Sequence, residues 1–155
     1  MSRMIALATT GHALLLGGAF LFQLAGYAPC AMCLWQRWPH AAAILIGVMA
    51  LAGIAPRVLA GLGAAAAAMT SGIGLYHAGV EQGWWEGPSS CTGSGAALGN
   101  LSGGDLLSTE IADTVIMCDD IVWQLGLTMA GWNALLSAVL AIIWIAAARA
   151  RVATI

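Results

Sequence analysis

The sequence predicts an all-α integral membrane protein, a four-transmembrane-helix bundle with a long extracytoplasmic loop that carries a short surface helix. Three observations predict it. Of the 155 residues 61 % are apolar and only 8 % are charged, with no lysine at all, where a soluble domain averages about 25 % charged. Four stretches approach the length of about 20 apolar residues that crosses a bilayer at 1.5 Å rise per residue. The few charges are segregated, four arginines to one side of a four-span chain and all seven acids to the other. This composition excludes a soluble enzyme, a disordered tail and a nucleic-acid binder.

The first span, about residues 4–25, is interrupted only by Thr9, Thr10, His12 and Gln23. Its length separates it from a signal peptide, whose apolar core runs about 7–15 residues. Further spans cover about 34–54, 58–79 and 128–148, so the chain reads as a single membrane domain, 1–155, with extracytoplasmic loops at about 26–33 and 80–127. Each span must be a helix, because hydrocarbon offers no partner to an unpaired backbone group. Gly61, Gly63, the alanines from Ala64 to Ala68, Gly72 and Gly74 let the third span approach its neighbours closely.

Arg3, Arg57, Arg149 and Arg151 fall on one face, with a tight turn at Ile54–Arg57 around Pro56. Arginines near span ends mark the cytoplasmic side, so both termini are expected inside. Glu81, Glu86, Asp105, Glu110, Asp113, Asp119 and Asp120 all fall in the long outer loop. Trp35, Trp38, Trp84, Trp85, Trp123 and Trp132 flank the outer span ends as an interfacial belt. Within the loop, Leu106, Leu107, Ile111, Val115 and Ile116 recur at roughly helical spacing behind Asp105, a candidate cap. A helix lying on the membrane surface is expected there.

The chemistry gathers on the outer side. Cys30 and Cys33 form Cys-Ala-Met-Cys at the head of the second span, and Cys91 and Cys118 lie in the long loop. An extracytoplasmic compartment in bacteria permits disulfides. Four cysteines allow three connectivities; the CxxC spacing favours Cys30–Cys33, which leaves Cys91–Cys118. Three readings stay open at this point: a non-enzymatic membrane scaffold with two structural disulfides, four thiolates around zinc, or a redox centre. No second CxxC recurs to match the first, which weighs against zinc. A CxxC at a helix N-terminus sits at the positive end of the dipole, which lowers the thiol pKa and makes it reactive. Pro29 suits the first turn of such a helix.

Arg37 is the lone basic residue on the outer side. Four residues after Cys33, it shares that residue's helical face, and it reads either as a snorkelling interfacial arginine or as a fixed cation beside a thiolate or an electron acceptor. Pro39 predicts a kink after a short turn that carries the cysteines. Cys91 lies in the run Gly87-Pro88-Ser89-Ser90-Cys91-Thr92-Gly93-Ser94-Gly95, too glycine-rich for regular structure and suited to an accessible sulfur that visits a partner. His77 reads as a hydrogen-bonded belt residue or a functional one, His12 as a neutral histidine satisfied by a neighbour inside the bundle, and His40 acquires no role. Without a flavin, haem or nicotinamide motif, a membrane enzyme with outer dithiols needs a lipid-soluble electron acceptor.

At these residues the chain resembles the bacterial disulfide bond formation protein B (DsbB) family. The resemblance covers nearly the whole chain: Phe22-Gln23, then Pro29-Cys30-Ala31-Met32-Cys33 followed by Gln36-Arg37, the loop pair, Trp123, Leu125-Gly126-Leu127 and Trp132-Asn133. The similar vitamin K epoxide reductase family places its loop cysteines before its CxxC; here the CxxC comes first. The resemblance implies a thiol:quinone oxidoreductase of the bacterial inner membrane. Such an enzyme reoxidises a periplasmic DsbA-like dithiol oxidase and passes the electrons through two cysteine pairs to ubiquinone or menaquinone. By position it implies that Cys91 engages the partner with Cys118 as its loop mate, and that Cys30–Cys33 receives the electrons. It likewise sets Cys33 next to the quinone, Arg37 binding it and His77 beside it. An electron importer running in reverse would need a cytoplasmic donor site, and no cysteine falls inside.

The charge placement generates a test of orientation. In a cysteine-free chain, Gly99→Cys is expected to label with an impermeant thiol reagent from the outside; labelling only after the inner face is opened overturns the assignment.

Overall fold

The computed structural model describes residues 1–88, 91, 117–121 and 123–150. The surface helix expected behind Asp105 lies outside the described residues. Four helices build the described fold: α1 (Ser2–Leu24), α2 (Ala31–Leu51), α3 (Pro56–Glu81) and α4 (Met129–Arg149). Just before α4, β1 (Gln124–Leu125) pairs antiparallel with β2 (Leu127–Thr128) around Gly126, whose φ of +72° suits glycine. Each helix packs on its neighbour in sequence, and α4 closes the ring against α1. The architecture is an all-α membrane bundle.

Helices α1, α3 and α4 are long and apolar enough to cross a membrane. Helix α2 has 21 residues, but Gln36, Arg37 and His40 dilute its apolarity. Gln36 and His40 are buried within the bundle, so what α2 turns outward includes Trp38, Leu45 and Val48. The same inversion governs the other helices. On α3, Ala60, Gly63, Ala67, Thr70, Gly74 and His77 are buried at alternating spacings of three and four, one helical stripe. Leucine gains little by leaving lipid for protein, so helices associate through small residues and close backbone approach. Leu14, Val58 and Ile142 accordingly stay exposed on the surface.

Local chemistry sets the helix ends. Cys30 is the N-cap of α2, and its Sγ accepts from the Cys33 N–H at 3.3 Å. Pro29 therefore stands before the cap, outside the first turn where its sequence position suggested it. Helix α2 is continuous through Pro39, so the cysteine turn and the span belong to one helix. A proline inside a packed membrane helix is tolerated because neighbouring groups compensate the lost backbone bond. Pro56 opens α3 behind Ala55, which takes a left-handed φ of 37°. The Thr128 hydroxyl caps α4 by accepting from the Gly131 N–H at 3.0 Å.

Trp144, the tryptophan outside the expected belt, is fully buried at the other end from the cysteines. A Cβ on Gly63 would lie 2.6 Å from its ring. Gly63→Ala is expected to destabilise the bundle by about 1–3 kcal/mol through overpacking, measured as an earlier unfolding transition in detergent. Gly61→Ala, whose new methyl meets nothing within 4 Å, should stay within about 0.5 kcal/mol of the parent.

Candidate functional site

Three parts of the chain converge at the cysteine end of the bundle. The head of α2 brings Cys30 and Cys33, the last turns of α3 bring His77 and Glu81, and the segment before β1 brings Cys118. The ligating atoms of Cys30, His77 and Cys118 lie within 4.8 Å of one another. Cys91 and Cys118 are joined in a disulfide, with Cα atoms 5.2 Å apart. Cys30 and Cys33 are free thiols whose sulfurs hydrogen-bond at 3.1 Å. Because the Cys118 sulfur is already bonded, the trio offers a metal only the Cys30 thiolate and a His77 nitrogen. Cys91 is 4 % exposed and packs with Cys30, Met32, Val80 and Cys118. It is not the open sulfur that its glycine-rich surroundings suggest, since the disulfide draws it into this apolar cluster.

His77 Nε2 lies 3.5 Å from Cys30 Sγ and 3.8 Å from a Glu81 carboxylate oxygen one turn further on. The Glu81 side chain is 6 % exposed. The sequence counts it among the loop acids, whereas the helix carries it into the site; its signal is the four-residue spacing from His77, which sets both on one helical face. The His77 Nδ1 atom is 2.9 Å from Gln36 Nε2. The Gln36 Oε1 accepts from Asn133 Nδ2 at 2.6 Å, and Asn133 Oδ1 is 2.8 Å from His40 Nε2. The series ends at His12, whose Nδ1 is 2.7 Å from His40 Nδ1. His12 thus finds its expected neighbour, and that neighbour is His40, to which the sequence attached no role.

Arg37 is aimed by α1. It donates to Gln23 Oε1 at 2.7 Å and to the Ala19 carbonyl at 3.4 Å, and its guanidinium lies 4.8 Å from the centroid of the Phe20 ring. Among the described residues no carboxylate pairs with it, and its Nε has no hydrogen-bond partner. A cavity of about 320 Å³ brings the sequence-derived candidates together, lined by Cys30, Cys33, Arg37 and His77 along with Gln36, His40 and apolar groups such as Leu14, Phe22, Met129 and Leu136. Apolar walls with a few convergent polar groups are the ordinary character of a small-molecule site.

The hydrogen bond with the Cys33 thiol holds Cys30 well below the usual thiol range, against the opposing effect of burial, and His77 adds a second donor. A depressed value means that the thiolate persists as pH falls through the neutral range. In the reduced chain, the rate of Cys30 alkylation by iodoacetamide should therefore stay flat from pH 8 to pH 6, read by mass spectrometry of the Cys30 peptide. An ordinary thiol near pKa 8.5 would slow about tenfold per pH unit over the lower part of that range; such slowing would show that the environment does not activate Cys30.

The family model described as disulfide bond formation protein DsbB matches residues 2–147. No curated protein and no solved structure matches the chain.

Proposed function

The chain belongs to the disulfide bond formation protein DsbB family, whose role is disulfide formation by thiol oxidoreduction, and from that premise we propose that it is a thiol:quinone oxidoreductase. It takes electrons from a DsbA-like dithiol oxidase in the periplasm and works in the bacterial inner membrane with both termini cytoplasmic. The observation that carries the reading is the approach of Cys118 to Cys30 within 4.8 Å, beside a cavity that Cys33 and Arg37 both line.

That proximity lets two cysteine pairs exchange without distant motion. Once Cys91 leaves its apolar cluster, a partner thiolate attacks its Sγ, a mixed disulfide forms, and the electron pair of the broken bond leaves on Cys118. The partner's second thiolate displaces Cys91 and departs as a disulfide. The Cys118 thiolate then attacks Cys30 Sγ of an oxidised Cys30–Cys33 bond, which releases Cys33 as a thiolate. Cys91 re-forms its bond with Cys118 by displacing Cys30. The net exchange converts a partner dithiol and a Cys30–Cys33 disulfide into a partner disulfide and two reduced thiols, the pairing that the structure holds.

A bound ubiquinone or menaquinone supplies the two-electron, two-proton sink that restores the Cys30–Cys33 bond. The cavity suits such a group, with apolar walls and a guanidinium whose Nε has no partner. Cys33, Arg37 and His77 are the residues that would hold it, with Arg37 as the fixed cation toward negative charge.

The purified chain is expected to oxidise a reduced thioredoxin-fold protein only when quinone is supplied, measured as loss of free thiols. Arg37→Ala should still form its disulfides but raise the quinone KM about tenfold or more, the loss expected for one charge-assisted hydrogen bond. Absence of turnover with either quinone class sinks the proposal, and unchanged quinone kinetics in Arg37→Ala reduces that residue to an interfacial anchor.

A further inference from the structure

The hydrogen-bond array behind His77 has a direction, and the Met32 backbone carbonyl sets it. The side-chain atom of Gln36 that lies 3.1 Å from the Met32 carbonyl must be a donor, hence Nε2. Its second hydrogen points to His77 Nδ1 at 2.9 Å, so Nδ1 carries a lone pair. The proton then resides on Nε2, which faces Cys30 Sγ at 3.5 Å and the Glu81 carboxylate at 3.8 Å. An imidazolium would drive a second hydrogen from Nδ1 against the Gln36 amide.

With Nε2 so fixed, Gln36 Oε1 is an acceptor, and the Asn133 atom 2.6 Å from it is the donor Nδ2. The Thr70 hydroxyl lies 3.2 Å from the Gln36 carbonyl, from Asn133 Nδ2 and from His40 Nε2, and it fits this order by donating to the first and accepting from the other two. Asn133 Oδ1 then accepts from His40 Nε2 at 2.8 Å and from the Ser137 hydroxyl at 3.3 Å. His40 Nδ1 is left as an acceptor, so His12 donates to it from Nδ1. That leaves a bare lone pair on His12 Nε2, an atom with no partner among the described residues.

We propose that Gln36 and Asn133 are positioning residues that lock His77 as a neutral imidazole with its proton on Nε2, aimed at Cys30 Sγ. The contact is then a neutral donor to sulfur, not an imidazolium–thiolate pair. This suits a thiol that alternates between charged and bonded forms. When Cys30 enters a disulfide its charge disappears, and an imidazolium would keep Glu81 as its one anionic neighbour, at the desolvation cost of a buried ion pair. A neutral N–H is tolerated in both redox states. The inference rests on Cys30 being a redox thiol, as proposed above, while the proton order is a matter of geometry that can be read without any turnover. The groups facing His77 are Cys30, Gln36, Glu81 and the disulfide-bonded Cys118.

The test is ¹⁵N-histidine NMR of the full chain in nanodiscs with Cys30 and Cys33 reduced, which is tractable because the chain has 3 histidines. His77 and His40 are expected protonated at Nε2 alone and His12 at Nδ1 alone. A doubly protonated His77, or one protonated at Nδ1, overturns the proposal, whereas failed quinone turnover would sink the proposed function and leave these tautomers untouched. Gln36→Leu and Asn133→Leu should mix the His77 tautomers and raise the pH midpoint of Cys30 alkylation by about one unit, the loss of one hydrogen bond to a charged group. Ser71→Ala removes a hydrogen bond to the Ala134 carbonyl on the same α3–α4 interface and should move neither readout; an equal shift in that variant would show general loosening and overturn the assignment.

Discussion

Hydrocarbon supplies no hydrogen-bond partners, and this constraint orders the whole bundle. A polar side chain on a spanning helix must meet its complement on another helix or leave the membrane. Gln36, His40, Thr70, His77, Asn133 and Ser137 all comply by facing inward and bonding one another across three helices. Their partners are specific atoms, so they fix helix rotation and depth where apolar surfaces would slide. At the opposite end the bundle meets the constraint differently. There alanines pack with Ile5 and Leu140, and one large ring, Trp144, fills the space that Gly63 leaves. One end of the molecule is specified by hydrogen bonds and the other by shape.

The redox site inherits its geometry from the polar end. Cys30 is at once a helix cap, a member of the CxxC pair and the neighbour of His77. Its sulfur receives a backbone N–H, and the Gln36 side chain one turn along orders the histidine that faces it. Arg37, adjacent in sequence to Gln36, turns to a different face and is held by α1. Helix α2 thereby divides its labour between adjacent residues, one toward the thiol through α3 and the other toward the cavity through α1.

Much of this was legible in the sequence, for physical reasons that differ by residue. The all-α membrane class follows from hydropathy and charge segregation, which the bilayer leaves almost no freedom to ignore. Cys30, Cys33 and Arg37 lie within two turns of a helix, so local spacing suffices to bring them together. Cys118 and His77 reach the same place through the bundle's closure, which the family resemblance implies and spacing alone does not. Glu81 was misassigned because a charge at a span boundary reads as loop, although its register with His77 carried the opposite signal. Asn133 meets Gln36 across 97 residues, and no local pattern can announce such a pair. Pro29 falls short of the helix because the Cys30 sulfur takes the capping position and sets where α2 begins.

The tether between Arg37 and α1 has a consequence for how the protein is made. The Gln23 oxygen, the Ala19 carbonyl and the Phe20 ring all precede Arg37 in the chain. Because synthesis runs from the N-terminus, the first helix and its acceptors emerge before the second delivers its cation. The guanidinium enters the bilayer edge with its counterparts already available. Assembly can therefore begin as a hairpin of α1 and α2, with the costliest charge of the second helix sheltered before α3 and α4 arrive to enclose the thiols.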